Sequence, residues 1–441
     1  MKLPRQGARP DEVLARMDDL RARDADFRGG KTFALIYNAG DEVFSLLDEA
    51  ARRFLHTNAL SLSAFPSLRR FEADILAIAA DLLHGGEQAA GSLTSGGTES
   101  ICMAVKTARD HARESRPGIT RPEMVLPATV HPAFHKAAHY FDVKPVVVPV
   151  SEDLRVAPEI VESAITDNTI LLVGSAPCFP FGVIDPISQL GELAVRRNLL
   201  LHVDACVGGF FLPFLEMLEI DEARAIPPWD FRVPGVTSIS ADLHKYGFAS
   251  KGASVVLYKT RELRRKQFFS YADWPGGLYG SPTMTGSRGG APIAAAWAVL
   301  QFLGEEGFKD LALRTMTTTR KLLAGIREIP GLRILGNPQM SIYAFTSDTL
   351  DVYGLGELLE TNGWRLDRQQ LPPSLHMMVS PAHEQVADRF LADLAAGAKE
   401  IAGKPPAMEG MAAMYGALAT IPDRGVAARV ILDFLDGFDR G

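Results

Sequence analysis

The sequence predicts an α/β protein: a large domain with a mainly parallel sheet between helices, and a smaller α+β domain at the C-terminus. Three observations carry that reading. Between about residues 90 and 260, short and continuously apolar runs alternate with helical stretches, the pattern of parallel strands covered on both faces. After about residue 300 the alternation gives way to long helices flanking a few short strands. The chain has 441 residues, enough for a large core plus a second lobe.

In chain order, residues 1–60 read as an N-terminal helical arm. Val13–Arg23 is amphipathic and charged, and Asp41–Leu55 repeats apolar residues at helical spacing. The large domain is expected over 61–300. Its strand candidates are Met124–Leu126, Pro145–Val150, Ile170–Gly174, Leu199–Val203, Ser238–Ala241 and Ser254–Tyr258, with helices such as Ile101–Arg113 and Ile187–Arg197 between several of them. In the small domain, 301–441, helices Lys309–Glu328 and Glu384–Lys399 flank strands near Arg333–Leu335 and Ser341–Thr346.

Composition narrows the function class. A net charge of −7, 47% hydrophobic and 22% charged residues are ordinary globular values. The acidic balance gives no electrostatic footprint for nucleic acid or an anionic membrane. Three cysteines (Cys102, Cys178, Cys206) without a CxxC pair argue for a reducing compartment and against a Cys-based zinc site. The start, MKLPRQGARPDEVLARMDDLRARD, has no apolar core of a secretory signal. The apolar window Asn198–Leu215 carries His202 and Asp204, which are costly in lipid, so it reads as a buried strand and a Gly turn. A soluble, cytoplasmic chain with no transmembrane segment and no nucleic-acid partner is expected.

Four features then occur in order, each where a strand ends or a helix begins. Ser95-Gly96-Gly97-Thr98-Glu99-Ser100 precedes the helix from Ile101; free N–H groups and the helix dipole make such a start a phosphate cradle. It has neither GK[ST] nor GxGxxG spacing, and an ordinary capped Gly loop would look similar. His131, in Thr129-Val130-His131-Pro132, could stack on a flat cofactor or donate a proton. With His135 and His139 it also has metal-like spacing, but no carboxylate accompanies the three and Pro132 interrupts the helix. No metal is expected.

Asp204 follows the strand Leu199–Val203. A carboxylate there could pair with a protonated pyridine nitrogen, or could simply turn the chain through its own backbone. Lys245, in Ser240-Ala241-Asp242-Leu243-His244-Lys245-Tyr246-Gly247, has His244 and Lys251 nearby in sequence; neighbouring cations or burial lower a lysine pKa for Schiff-base chemistry. A glycine-rich helix start, a strand-end Asp and a later Lys in this order form an arrangement for pyridoxal 5'-phosphate.

The segments SGGTES, HPAFHKAAHYF, PFGVIDPI, HVDACVGGF, FRVPGVTSISADLHKYGFASKGASVVLY and DWPGGLYGSPTMTGSRGG closely resemble the sphingosine-1-phosphate lyases. These are group II decarboxylase-like enzymes of the pyridoxal-phosphate transferase-like fold type I, and the resemblance runs from about Tyr37 to the C-terminus. It implies that Lys245 is the Schiff-base lysine, that Asp204 pairs with the pyridinium nitrogen, and that His131 stacks on the ring; these three are the expected catalytic residues. It implies that Gly97, Thr98 and His244 hold the cofactor phosphate. Tyr37, Asn58, Lys251 and Ser287 match positions lining the substrate, and Arg288 lies in the same segment as Ser287. Family members are homodimers whose active sites draw on both chains.

The chain departs from the family pattern at three places. Asn58-Ala59-Leu60-Ser61 stands where members often have Asn-Pro-Leu-His, so the shorter Ser61 replaces a substrate-phosphate contact. His135 replaces an Asp or Asn, and Phe179 a Tyr found in some members. The resemblance implies cleavage of the Cα–Cβ bond of a phosphorylated sphingoid base to a long-chain aldehyde and phosphoethanolamine. The alternatives are an amino-acid decarboxylase on the same fold, a non-catalytic cofactor carrier or scaffold, and a zinc hydrolase using the spaced histidines.

Overall fold

Seven short strands make the central sheet: β1 (Ala90–Thr94), β2 (Glu123–Pro127), β3 (Lys144–Val148), β4 (Thr169–Ser175), β5 (Leu200–Asp204), β6 (Val236–Ala241) and β7 (Ser254–Tyr258). They are described by a computed structural model covering residues 2–22, 24–60 and 63–405, and beyond them 412, 415–416, 421 and 423–437. Ser61 lies outside the described residues. The strand order is β1-β7-β6-β5-β4-β2-β3, with β2 to β6 mutually parallel. Every residue of β4 and β7 is buried, which accounts for the apolar runs 170–173 and 255–258 within them.

Three helices precede the sheet: α1 (Pro10–Arg21), α2 (Asp41–Phe54) and α3 (Pro66–Leu82). Helical crossovers then join the strands, α4 (Gly97–Ser115) between β1 and β2, α5 (Ala133–Phe141) between β2 and β3, and Ile187–Arg197 between β4 and β5. The expected parallel sheet is therefore present, with two differences. Strand β7 runs antiparallel to both neighbours, β6 and β1. Strand β1 was not expected, because Ala-Gly-Ser-Leu-Thr lacks a β-branched run. It needs its glycine: a Cβ at Gly91 would lie 2.6 Å from the Val256 carbonyl oxygen.

A hairpin, β8 (Phe269–Trp274) and β9 (Gly277–Ser281), projects from the sheet domain and is largely exposed. The C-terminal part carries a four-stranded antiparallel sheet of β10 (Leu332–Ile334), β11 (Ile342–Ser347), β12 (Asp367–Gln370) and β13 (Pro373–Met378). The expected boundary at 300/301 falls inside one long helix, Gly290–Glu328, whose break is at Gly304 (φ 55°, ψ −174°). Nor does the segment 1–60 stand apart. Phe33 is buried in the core of the C-terminal sheet, stacked on His383 and beside Trp364 and Phe390, and Thr32 bridges to Arg365. The helix expected over Glu384–Lys399 is a 3-10 turn, Pro381–Gln385, followed by Ala387–Ile401.

The apolar window at 198–215 is β5, a turn and the short helix Leu212–Glu216. Among the described residues, no helix is long and apolar enough to cross a membrane. The sheet's parallel run has one decisive consequence. β1, β2, β5 and β6 all point the same way, so the segments that follow them meet at one edge.

Candidate active site

A cavity of about 340 Å³ opens at that edge. Its floor on one side is the start of α4, where Gly97 and Thr98 contribute first-turn N–H groups that have no partner within a helix. The loop is closed by Glu99, whose Oε2 accepts from the Ser95 amide (2.7 Å) and hydroxyl (2.6 Å) while Oε1 accepts from the Met284 amide (2.9 Å). With its oxygens so occupied, Glu99 braces the cradle and ties it to the 281–289 loop. Gly97 has to be a glycine, since a Cβ would lie 2.7 Å from Cys206 Sγ and 2.8 Å from Asp242 Oδ2.

Lys245 enters from the segment after β6 and lines the same cavity. Its Nζ is 3.0 Å from Asp242 Oδ2, and His244 Nε2 is 3.5 Å from the same oxygen. Burial opposes both charges of the Lys245–Asp242 pair, but their mutual attraction prevails. The lysine ammonium, aided by His244, holds the Asp242 carboxyl well below the usual range, and Asp242 holds Lys245 above an ordinary lysine. This corrects the expectation that neighbouring cations lower Lys245. The lowered lysine is Lys251, exposed in the single chain yet brought to about 8 by desolvation and by the Lys245 charge.

Asp204 is the last residue of β5 and is buried. Its Oδ1 accepts from the Cys206 amide (3.0 Å), the chain-turning bond that was one of the two expectations for it, and also from the Ser240 hydroxyl (3.3 Å). His131 lies on the cavity wall, just ahead of α5. Its Nδ1 accepts the Ala133 amide at 3.1 Å, and burial lowers its pKa, so the neutral ring carries its proton on Nε2. Asp204, Lys245 and Asp242 all lie near enough to act on it electrostatically.

Because α5 begins only after Pro132, His131 does not share a helix face with His135 and His139, which are on α5. Among the described residues no group of three His, Cys, Asp or Glu side chains is placed to hold a metal.

Of the expected substrate residues, two are next to the lysine. Lys251 Nζ sits 5.2 Å from the centre of the Tyr37 ring and donates to the His244 carbonyl at 3.3 Å. The buried Tyr37 donates its hydroxyl to Met378 Sδ (3.0 Å). Asn58, Ser287 and Arg288 form a second patch that does not line the cavity of the same chain. There Asn58 bridges to Gly289, and the Ala59 amide donates to the Arg288 carbonyl at 2.9 Å. The Arg288 guanidinium is ion-paired with Glu72 and donates to the Leu93 carbonyl, so it is engaged within its own chain. Phe179 packs its ring against His376, 4.4 Å between centres.

Three residues of the site were missed in the sequence: Asp242, Glu99 and Cys206. Each stands inside a motif that was read for another residue, and only Asp242, three positions before the lysine, offered a signal.

The residues present fit pyridoxal 5'-phosphate. The cradle leaves no room for a Cβ at Gly97, and Asp242 Oδ1 is buried without a hydrogen-bond partner among the described residues, beside an amine that could bond a cofactor. A doubly wound sheet presenting these groups at its C-terminal edge is a fold-type-I, pyridoxal-phosphate-dependent architecture. In agreement, the pyridoxal-dependent decarboxylase conserved domain matches residues 28–347, and the chain belongs to that family. The chain is 44% identical to the sphingosine-1-phosphate lyase of Arabidopsis thaliana over 96% of its length and 79% of the relative's. It is 42% identical to sphingosine-1-phosphate lyase 1 of Mus musculus, over 98% and 76%. The sphingosine-1-phosphate lyase structure from Burkholderia pseudomallei superposes with a TM-score of 0.90 at 39% identity, covering 99% of this chain and 97% of that one. Glutamate decarboxylase from Lactobacillus brevis shares the fold alone, at 22% identity and a TM-score of 0.80. Within the decarboxylase family, the chain is a member of the sphingosine-1-phosphate lyases.

Proposed function

We propose that the protein is a pyridoxal-phosphate-dependent aldehyde-lyase. It cleaves the Cα–Cβ bond of a phosphorylated sphingoid base to a long-chain aldehyde and phosphoethanolamine. The observation that carries this is the near full-length likeness to sphingosine-1-phosphate lyases, at 39% identity and a TM-score of 0.90 for the solved structure.

Bound in the cavity, pyridoxal 5'-phosphate supplies an electron sink for the pair of the breaking bond. The chain's own residues do the rest. The Gly97 and Thr98 amides and His244 would hold the cofactor phosphate at the positive end of α4. His131, neutral, would face the cofactor ring, and Asp204 would pair with the ring nitrogen. Lys245 would anchor the cofactor through its amine, and Asp242, 3.0 Å away, holds the ammonium of the free side chain. Lys251, with the Tyr37 ring beside it, takes the substrate phosphate as a compact positive charge. Holding that phosphate would fix the orientation of the substrate in the cavity and so select the bond that is cleaved. The Phe179 position offers no hydroxyl for proton transfer.

The working unit in this proposal is a homodimer. Asn58 and Ser287 form a patch outside the cavity of their own chain, and a shared site would place that patch at the partner's cavity. The three cysteines are all unpaired and buried, which supports a reducing, cytoplasmic setting.

Product analysis tests the reading. Cofactor-loaded protein incubated with a sphingoid-base 1-phosphate is expected to release aldehyde and phosphoethanolamine in equal amounts. Absence of both products, with carbon dioxide released from amino acids instead, would overturn it.

A further inference from the structure

His202 and Asp204 are two residues apart on β5 and so share one sheet face; the register pairs them with Ser238 and Ser240 of β6. Four polar side chains therefore form a ladder behind the cofactor cavity. All are buried, and His202 and Ser240 are at 0% exposure. His202 Nδ1 is 2.9 Å from Ser238 Oγ, and Nε2 is 3.2 Å from Ser240 Oγ. Ser240 Oγ is in turn 3.3 Å from Asp204 Oδ1. Phe134 closes the site with its ring edge on the imidazole, 5.8 Å between centres. Apolar side chains would fill such positions at lower desolvation cost, so the ladder calls for a reason beyond packing.

Counting protons fixes its direction. An ionised carboxylate only accepts, so Ser240 must spend its single proton on Asp204. Its oxygen can then only accept, from His202 Nε2–H and from the Cys206 thiol at 3.3 Å. Burial pushes His202 down to about 4, so the ring is neutral and has one N–H to give. With that proton on Nε2, Nδ1 accepts from the Ser238 hydroxyl. Every hydrogen bond in the ladder points toward Asp204. Reversing any one of them would set two lone pairs against each other, either Nε2 against the Ser240 oxygen or that oxygen against the carboxylate.

We propose that Ser240 and His202 are positioning residues, which through this one-way donor chain hold Asp204 oriented toward the cofactor's ring nitrogen. The proposal rests on the reading of Asp204 as the ring-nitrogen partner.

The test uses the full chain titrated with pyridoxal 5'-phosphate, reading the cofactor dissociation constant, the absorbance spectrum of the bound cofactor and the melting midpoint of cofactor-free protein. Ser240→Ala is expected to raise the dissociation constant about tenfold, the worth of one hydrogen bond to a charged group. It should also shift the spectrum in the direction given by Asp204→Asn, a change that a loss of stability alone does not give, while the cofactor-free midpoint falls modestly because the His202 donor is left unpaired. His202→Gln, which keeps a donor and an acceptor, should restore most of what His202→Phe loses. The proposal is overturned if Ser240→Ala binds and absorbs like wild type while Asp204→Asn does not, or if the Gln variant fares no better than the Phe variant. Should His202→Phe not fold, Ser240→Ala alone decides. If Asp204→Asn itself leaves affinity and spectrum unchanged, the ring-nitrogen reading falls, and the proposal with it.

Discussion

Lys245 Nζ lies 3.0 Å from Asp242 Oδ2, inside a cavity where the other Asp242 oxygen has no hydrogen-bond partner among the described residues. The pair sets the charge of the one amine in the cavity. It also makes the cofactor-free protein depend on an ion pair whose carboxylate is fully buried.

Asp242→Asn removes the counter-charge but keeps the shape. A buried ammonium left alone costs about 3 kcal/mol, so cofactor-free protein should melt well below wild type. The sign of the pH dependence follows from the shifts. Asp242 is depressed, so its contribution is complete above the unfolded carboxylate value and is lost as pH falls toward its lower folded value. Lys245 is raised, so its contribution is complete below the unfolded lysine value. The gap between variant and wild type should therefore be flat from about pH 5 to 9 and shrink below about pH 4. Melting curves that superpose at neutral pH would contradict the pair's importance.

Lys245→Ala should abolish turnover and the borohydride-fixable attachment of cofactor, since among the described residues no other amine lines the cavity. Mass spectrometry of the reduced protein reads the attachment directly. A cofactor adduct on the variant at wild-type yield would move the anchoring role elsewhere.

Gly97→Ala would place a methyl group 2.7 Å from Cys206 Sγ and 2.8 Å from Asp242 Oδ2. Cofactor affinity should drop at least about tenfold, because the cradle amides must shift to admit it. Gly280→Ala is the control, with nothing within 4 Å of the added carbon. Fluorescence titration with cofactor should separate the two; equal affinities would mean that the α4 start does not grip the phosphate.

Lys251 is brought to about 8, so its positive charge is present below that pH and fades above it. An anion held by this ammonium binds more weakly as pH rises, and KM for the phosphorylated substrate should climb between about pH 7 and 9. Lys251→Arg keeps the charge and should flatten that rise. Lys251→Ala should raise KM about tenfold below about pH 7, with the gap to wild type narrowing as pH passes about 8 and a smaller effect on kcat. A KM that does not respond to pH in wild type would remove Lys251 from the substrate phosphate.

Much of the site was legible in the chain. Gly97, His131, Asp204 and Lys245 each follow an apolar run or precede a helical one, and parallel strands bring such positions to one edge whatever lies between them. Asn58, Ser287 and Arg288 were legible only by resemblance, and the structure sets them apart from the cavity of their own chain. Arg288 is engaged by Glu72, a residue 216 positions away, which no local pattern announces. Likewise Phe33 reads as part of an N-terminal arm but is buried against Trp364 and Phe390, because a β-bridge at Thr32 carries the segment onto the C-terminal sheet.

By itself the sequence determined the chemistry available and its order: a glycine-rich helix start, an imidazole, a carboxylate and an amine, each tied to one element of an α/β sheet. Local patterns suffice for that, because helix starts and apolar strands are set by neighbours a few residues apart. The tertiary structure decided the charge on the lysine, which sequence neighbours His244 and Lys251 would have lowered and the buried Asp242 instead raises. It decided the direction of the hydrogen bonds reaching Asp204, since these depend on the register of β5 against β6. Electrostatic energy falls with distance in space and not along the chain, so a carboxylate 3.0 Å away outweighs cations that are merely close in sequence.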